Sequence, residues 1–234
     1  MRQLLIDSRD RTATSPSATD FSINLPQTLT LVRGQRVRVD NWRIPLTIPT
    51  VRAGFNDQLV VTMGAGNYTM TVPQANYDGP GLASMLQSLL QNTVPGTWSV
   101  VYDGANVSMG FSCSNPFTIN YGTLTKRWFT YPYTKSADSK SWNFSYVSML
   151  GVDVLYLCCP QMSNLDNVGP NGSSDVLLAA NVTRPFGAVL DASMPWDTWL
   201  DVPDMTTQHL TFQVRDRYNN ILPLPDTSFT LTID

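Results

Sequence analysis

The stretch Phe21-Ser22-Ile23-Asn24-Leu25-Pro26 decides how the chain is read. Its apolar residues fall at every second position with short polar residues between them, which gives an extended segment one apolar face and one wet face. Pro26 lacks the backbone N–H that a ladder needs and closes the run. A half-buried strand is the reading, and the same period recurs along the chain. Leu29 to Leu31 is a second short run. Val37, Val39, Trp42 and Ile44 are spaced by Arg36, Arg38 and Asp40, a long strand with one polar face that Pro45 and Pro49 bring to an end. Gln58 to Met63 and Asn67 to Val72 flank Gly64-Ala65-Gly66 as a hairpin. Trp98 to Tyr102, Val107 to Cys113, Phe117 to Tyr121, Val154 to Cys159, Val176 to Val182, His209 to Arg215 and Ser228 to Ile233 complete the set.

One segment breaks the pattern. Leu82, Met85, Leu86, Leu89 and Leu90 recur at spacings of three and four, with Ser84, Gln87, Ser88 and Gln91 on the opposite face. Pro80 near the start and Pro95-Gly96 beyond the end bracket an amphipathic helix over about 80–92.

Composition agrees. The 234 residues contain 18 acidic side chains, all of them Asp, and Lys occurs only at Lys126, Lys135 and Lys140. Charged residues are 14% of the chain where about a quarter is usual, so the residues that coat exposed helices are nearly missing. Helical bundles, coiled coils and helical repeats are excluded on that ground. Short strands without alternating helices predict an all-β fold, an antiparallel β-sandwich with Greek-key or jelly-roll connections. The polar residues 1–18, which include Asp7-Ser8-Arg9-Asp10-Arg11, read as an N-terminal arm outside the core that a neighbouring subunit would hold. The domain proper is expected over 19–234, with 126–145 and 184–205 as long loops or small insertions.

The net charge of -3 argues against nucleic acid as a direct partner. No apolar run reaches the length of a membrane span, and the polar N-terminus does not resemble a secretory signal, so synthesis in the cytosol is expected. Cys113, Cys158 and Cys159 are an odd number, two of them adjacent, and read as buried free thiols.

The inventory for catalysis is poor, and no enzyme is expected. His209 is the single histidine, so any His-based triad depends on it, and it lies on the polar side of a strand whose other face is Leu210, Phe212 and Val214. Asp191, Asp197, Asp201 and Asp204 form the densest carboxylate group, but without the spacing of a calcium loop, and they read as a solvated acidic loop in preference to a calcium site. No zinc set and no phosphate-binding glycine motif is present, and no cofactor is expected. Asp7, Arg9, Asp10 and Arg11, together with Arg215, Asp216 and Arg217, could pair across a subunit boundary, where arginine–carboxylate forks fix register; solvated charged turns are the alternative. Trp128, Trp142, Trp196 and Trp199 fall in segments read as loops. There they either meet a partner protein or sugar, Trp196 and Trp199 above all, or cap the ends of the sandwich.

The order of these features resembles the single jelly-roll penton and minor capsid proteins of icosahedral double-stranded DNA viruses whose major capsid proteins are double jelly rolls. The resemblance runs from the Asp7 to Arg11 arm and the Phe21 strand, through Gly66-Asn67-Tyr68-Thr69, the Leu82 to Leu90 helix and Val100-Val101-Tyr102-Asp103. It continues to Ser148-Met149-Leu150-Gly151, Leu210-Thr211-Phe212-Gln213-Val214-Arg215-Asp216 and the closing strand. It implies a single jelly roll acting as a virion capsid subunit. The role implied is a homopentameric penton at the fivefold vertices, contacting the major capsid protein and other minor capsid or spike proteins. A non-vertex minor capsid protein and a jelly-roll carbohydrate- or receptor-binding spike module are the alternatives. Some pentons carry an Arg-Gly-Asp receptor loop, and this chain has none.

Overall fold

The computed structural model describes the whole chain except Tyr121, Leu150 and residues 164–167; for 125–127 and 130–133 it describes the backbone alone. The chain divides into two compact units, the first made of Met1–Ile48 with Val152–Asp234 and the second of Pro49–Gly151. A single domain over 19–234 is therefore corrected to two units.

In chain order the first unit opens with β1 (Arg2–Asp7), β2 (Asp20–Leu31) and β3 (Arg36–Pro45). The second contains β4 (Gln58–Met63), β5 (Gly66–Thr71), helix α1 (Gly79–Thr93), β6 (Trp98–Asp103), β7 (Ser108–Cys113), β8 (Thr118–Asn120), the short helix α2 (Thr123–Trp128), β9 (Phe129–Lys135) and β10 (Ser141–Val147). The first unit resumes with β11 (Val154–Cys158), β12 (Val176–Asn181), β13 (Val189–Ala192), β14 (Leu200–Asp201), β15 (Met205–Asp216) and β16 (Ser228–Ile233).

Two antiparallel sheets build the first unit, one in the order β1-β16-β3-β13 with β14 also on β3, the other β12-β11-β15-β2. Their inner faces share one core that includes Phe21, Val37, Val39, Trp42, Leu157, Leu210, Phe212 and Leu231. Going along the chain, β1, β3, β13 and β16 lie in one sheet while β2, β11, β12 and β15 lie in the other. With the two-residue β14 set aside, successive strands cross between the sheets at every step except β11 to β12, which is the connectivity of an eight-stranded jelly roll. The sandwich expected from period two is present, and the second unit occupies the connection between β3 and β11.

A bulge explains the phase of β3. Asp40 faces Thr230 and Arg43 faces Ser228, so β3 spends one residue more than β16 across this step, and Asn41 has φ 53°. Asn tolerates that left-handed conformation better than most residues. The extra residue moves the inward set from odd to even numbers, which is how Val37 and Val39 share a core with Trp42 and Ile44.

In the second unit, β5-β4-β8 form one sheet and β6-β7-β10-β9 another around a core with Leu82, Leu86, Leu90, Phe111, Trp128, Trp142 and Phe144. Asp78 caps α1 by accepting from the Gly81 N–H at 2.8 Å, and Pro80 fills its first turn. The helix also explains its own uncharged amides. Gln87 accepts from the Val100 N–H at 2.9 Å and Gln91 from the Trp98 N–H at 3.0 Å, so both amides satisfy donors on the free edge of β6. The chain enters and leaves this unit side by side: a Cβ on Gly151, whose φ is +57°, would lie 3.0 Å from Thr50 Cα.

Four other expectations are corrected. Residues 2–7 are not an arm but the edge strand β1, paired with β16 along its whole length, with Ile6 in the core. The stretch 126–145 is mostly strand, β9 and β10, and 184–205 holds β13 and β14. Trp128 and Trp142 are core residues rather than loop aromatics. Pro26 does not end β2, which runs through it because β2 is an edge strand where a missing N–H costs no ladder bond. The strand expected to end at Tyr121 and the Ser148 to Gly151 step both include residues outside those described.

Candidate interaction surface

The outer face of the sheet β1-β16-β3-β13 carries a set of paired charges. Because β3 points Val37, Val39, Trp42 and Ile44 inward, its outward positions carry Arg36, Arg38, Asp40 and Arg43. Each arginine meets a carboxylate: Arg36 pairs with Asp201 at 3.0 Å, Arg38 with Asp40 at 3.0 Å and Arg43 with Asp191 at 3.2 Å. The Thr232 hydroxyl, buried among them, donates to Asp40 at 3.0 Å. Register places Asp7, Ser228, Arg43 and Asp191 in one row across the four strands.

The segment between β13 and β14 folds over this face. Arg38 donates to the Trp196 carbonyl at 2.7 Å, and its guanidinium carbon lies 4.9 Å from the centre of the Trp199 ring. Trp199 is thereby half-buried, while the Trp196 side chain is left out in solvent at 83% exposure. Asp191 and Asp201 stand on β13 and β14 and are taken up by arginines. Among the described residues no group of three or more His, Cys or Asp side chains is placed to hold a metal ion.

The two charged motifs lie on different sheets, and the structure does not bring them together. Asp7 caps the turn Ser8–Asp10 and receives both the Arg9 backbone N–H, at 2.9 Å, and the Arg9 guanidinium. That hydrogen-bonded guanidinium holds the Asp7 carboxyl below the usual carboxylate range and raises Arg9 in turn. Asp10 and Arg11 are exposed, and Arg11 donates to the Ser8 carbonyl at 3.0 Å. On the other sheet Arg215 pairs with Asp175 at 3.0 Å and Arg217 with Asp153 at 2.6 Å. Asp216 is 2% exposed; its carboxylate accepts from the backbone N–H groups of Tyr218, at 2.8 Å, and Asn220, at 2.9 Å, and holds the turn before β16. As an interface contact it is corrected to a turn anchor, because its oxygens are already used inside the chain. The partners Asp175 and Asp153 were out of reach of sequence reasoning, since nothing local marks them.

His209 is exposed where β15 shifts register against β2. The three cysteines are free and buried, and burial pushes the Cys158 and Cys159 thiols up to about 12. On the second unit, the outer face of β6-β7-β10-β9 forms a shallow depression of about 410 Å³ whose lining includes Ser99, Val101, Ser112, Lys135, Trp142 and Asn143. No described helix is long and apolar enough to cross a membrane.

No protein-family model matches the sequence, and no curated protein matches it. Among solved structures, the chain is similar to the mavirus penton protein, with a TM-score of 0.58 and 8% identity, over 100% of this chain and 99% of that one. The fold is thus that of an all-β, penton-like jelly-roll protein, a distant likeness in sequence.

Proposed function

We propose that the protein is a structural subunit of a viral capsid: a penton that assembles as a homopentamer at the fivefold vertices of an icosahedral double-stranded DNA virus. It contacts the major capsid protein, and other minor capsid or spike proteins are further partners. In this reading it resides in the virion, is synthesised in the host cytosol and catalyses no reaction. The observation that carries the proposal is the likeness to a penton over the full length of both chains, inserted unit included. A charge-poor surface of Ser, Thr and Asn supports it, because such a surface loses little solvation when covered. Within this reading the exposed charges Arg9, Asp10, Arg11 and Arg217 are the ones available to a neighbouring subunit, whereas Arg215 is engaged by Asp175 and Asp216 by its own turn.

Native mass measurement of the purified chain, followed by labelling of the chain in particles and electron microscopy, tests the proposal. A pentamer and label at the vertices are expected. A monomer that labels no vertex overturns it.

The exposed Trp196 favours a second reading, a jelly-roll module that binds a carbohydrate or a receptor. Glycan-array or cell binding that Trp196→Ala abolishes would select it.

A further inference from the structure

The chain covers its sheet edges unevenly. The β6 edge receives Gln87 and Gln91 from α1. The β2 edge receives residues 12–15: the Thr12 N–H donates to the Ser22 carbonyl at 2.8 Å, and the Ser15 hydroxyl accepts from the Ser22 N–H at 3.0 Å. Pro26 and a register shift against β15 interrupt the same edge further on. At the far end of the other sheet, β13 is four residues long and β14 two. These are the devices by which proteins stop edge-to-edge association.

Strand β1 has none of them. It forms the outer edge of its sheet, and six consecutive residues from Arg2 to Asp7 pair with β16 without a shift. It contains neither Pro nor Lys, and its single Arg and single Asp cancel. The side of each residue that faces outward follows from the ladder. The Ser8 N–H donates to the Thr227 carbonyl at 2.9 Å, so in the alternating antiparallel pattern Ile6, Leu4 and Arg2 also turn their backbone groups toward β16. Gln3, Leu5 and Asp7 turn theirs away. Among the described residues no hydrogen bond reaches the backbone N–H or C=O of Gln3 or Leu5, and the Leu5 side chain is 85% exposed.

We propose that the free edge of β1 is a strand-addition site occupied by a second copy of this chain. The inference rests on the homomeric reading above and names its contact. The occupant must be present wherever the chain is, in a ratio of one to one, because a bare edge of this kind associates indiscriminately; a ring of identical subunits supplies that occupant to each copy. In a closed ring of more than two, the contact is heterologous, so the neighbour presents a strand other than its own β1. Backbone bonds to Gln3, Leu5 and Asp7 give the affinity, and Leu5 gives an apolar contact beside them.

The ladder supplies its own test. Leu5→Pro deletes an N–H that points away from β16 and leaves the internal ladder intact, and Leu5→Lys places a charge on the same edge. Association of the full chain is measured by sedimentation and native mass, with circular dichroism to check the fold. At least a tenfold loss of association in both variants, with the fold kept, is expected. In the unmutated chain, amide exchange at Gln3 and Leu5 is expected to be slow in the assembly and fast after dilution to monomer. A wild-type assembly that persists unchanged in both variants, or in which these two amides exchange freely, overturns the inference while leaving the penton reading in place. A wild-type chain that stays monomeric overturns the inference, and one that also labels no vertex overturns the penton reading with it.

Discussion

The indole Nε1 of Trp42 donates to the Thr227 hydroxyl at 2.8 Å in the interior of the first unit, and that hydroxyl donates to the Arg43 carbonyl at 3.1 Å. Thr227 also receives the Ser8 N–H on its carbonyl and gives its own N–H to the Ser8 hydroxyl at 2.8 Å. One buried threonine therefore joins β3, the entry to β16 and the turn after β1. Thr227→Val keeps the shape and strands the indole donor. A loss of about 1–3 kcal/mol is expected from denaturant unfolding, with an unchanged dependence on denaturant concentration.

The two arginines flanking Asp216 differ in worth. The Arg215 and Asp175 side chains are only 13% and 14% exposed, and Arg215 also bonds Gln213 and Asn219. Asp175→Ala leaves a mostly buried guanidinium short of its counter-charge, at an expected cost of about 2 kcal/mol. The Arg217–Asp153 pair is half in water, and Asp153→Ala is expected to cost less than about 1 kcal/mol. Chemical unfolding of the two variants side by side checks the ranking.

Thiol chemistry should separate folded from unfolded protein. With Cys158 and Cys159 raised to about 12 by burial, on the order of one thiol in ten thousand is ionised at pH 8, and the thiolate is the reactive form. Alkylation of these two residues at pH 8 is expected to be negligible in the native chain and complete in denaturant, as read by mass spectrometry. Fast native labelling of either would contradict their burial.

Acid should act on the turn after β1. The Asp7 carboxyl is held below its unfolded value by Arg9, so the contribution of the pair is fully present above the unfolded carboxylate value and is lost as pH falls through the lower folded one. Arg9→Ala is expected to return Asp7 to the ordinary carboxylate range, as followed by its carboxyl chemical shift. An Asp7 titration that does not move would remove Arg9 as the cause.

Strands with clean alternation were legible from residues alone, as with Phe21, Ile23 and Leu25, or Leu210, Phe212 and Val214. The helix was too, because Leu82, Leu86 and Leu90 repeat at one period. Strand β1 was hidden by Leu4-Leu5-Ile6, an apolar run without alternation in which only Ile6 is fully buried. In β10 the signal existed: Trp142 and Phe144 alternate with Ser141 and Asn143, until a bulge before Tyr146 shifts the phase and leaves Val147 inward. Strands β13 and β14 are too short to carry a period. The paired charges escaped because their partners are set by topology: Arg36 meets Asp201 and Arg43 meets Asp191 only after β13 and β14 have reached β3.

The strand order has a consequence for how such a chain acquires its shape during synthesis. β16 lies between β1 and β3, so the two earliest strands of that sheet have no contact with each other until a much later segment leaves the ribosome. The inserted unit, continuous in sequence, can reach its final form in the meantime. For most of translation the first unit is therefore a set of unpaired strands around a finished insert. A nascent chain cut short before Ser228 would lose the centre of its sheet rather than the margin, which makes synthesis of β16 a checkpoint for the fold.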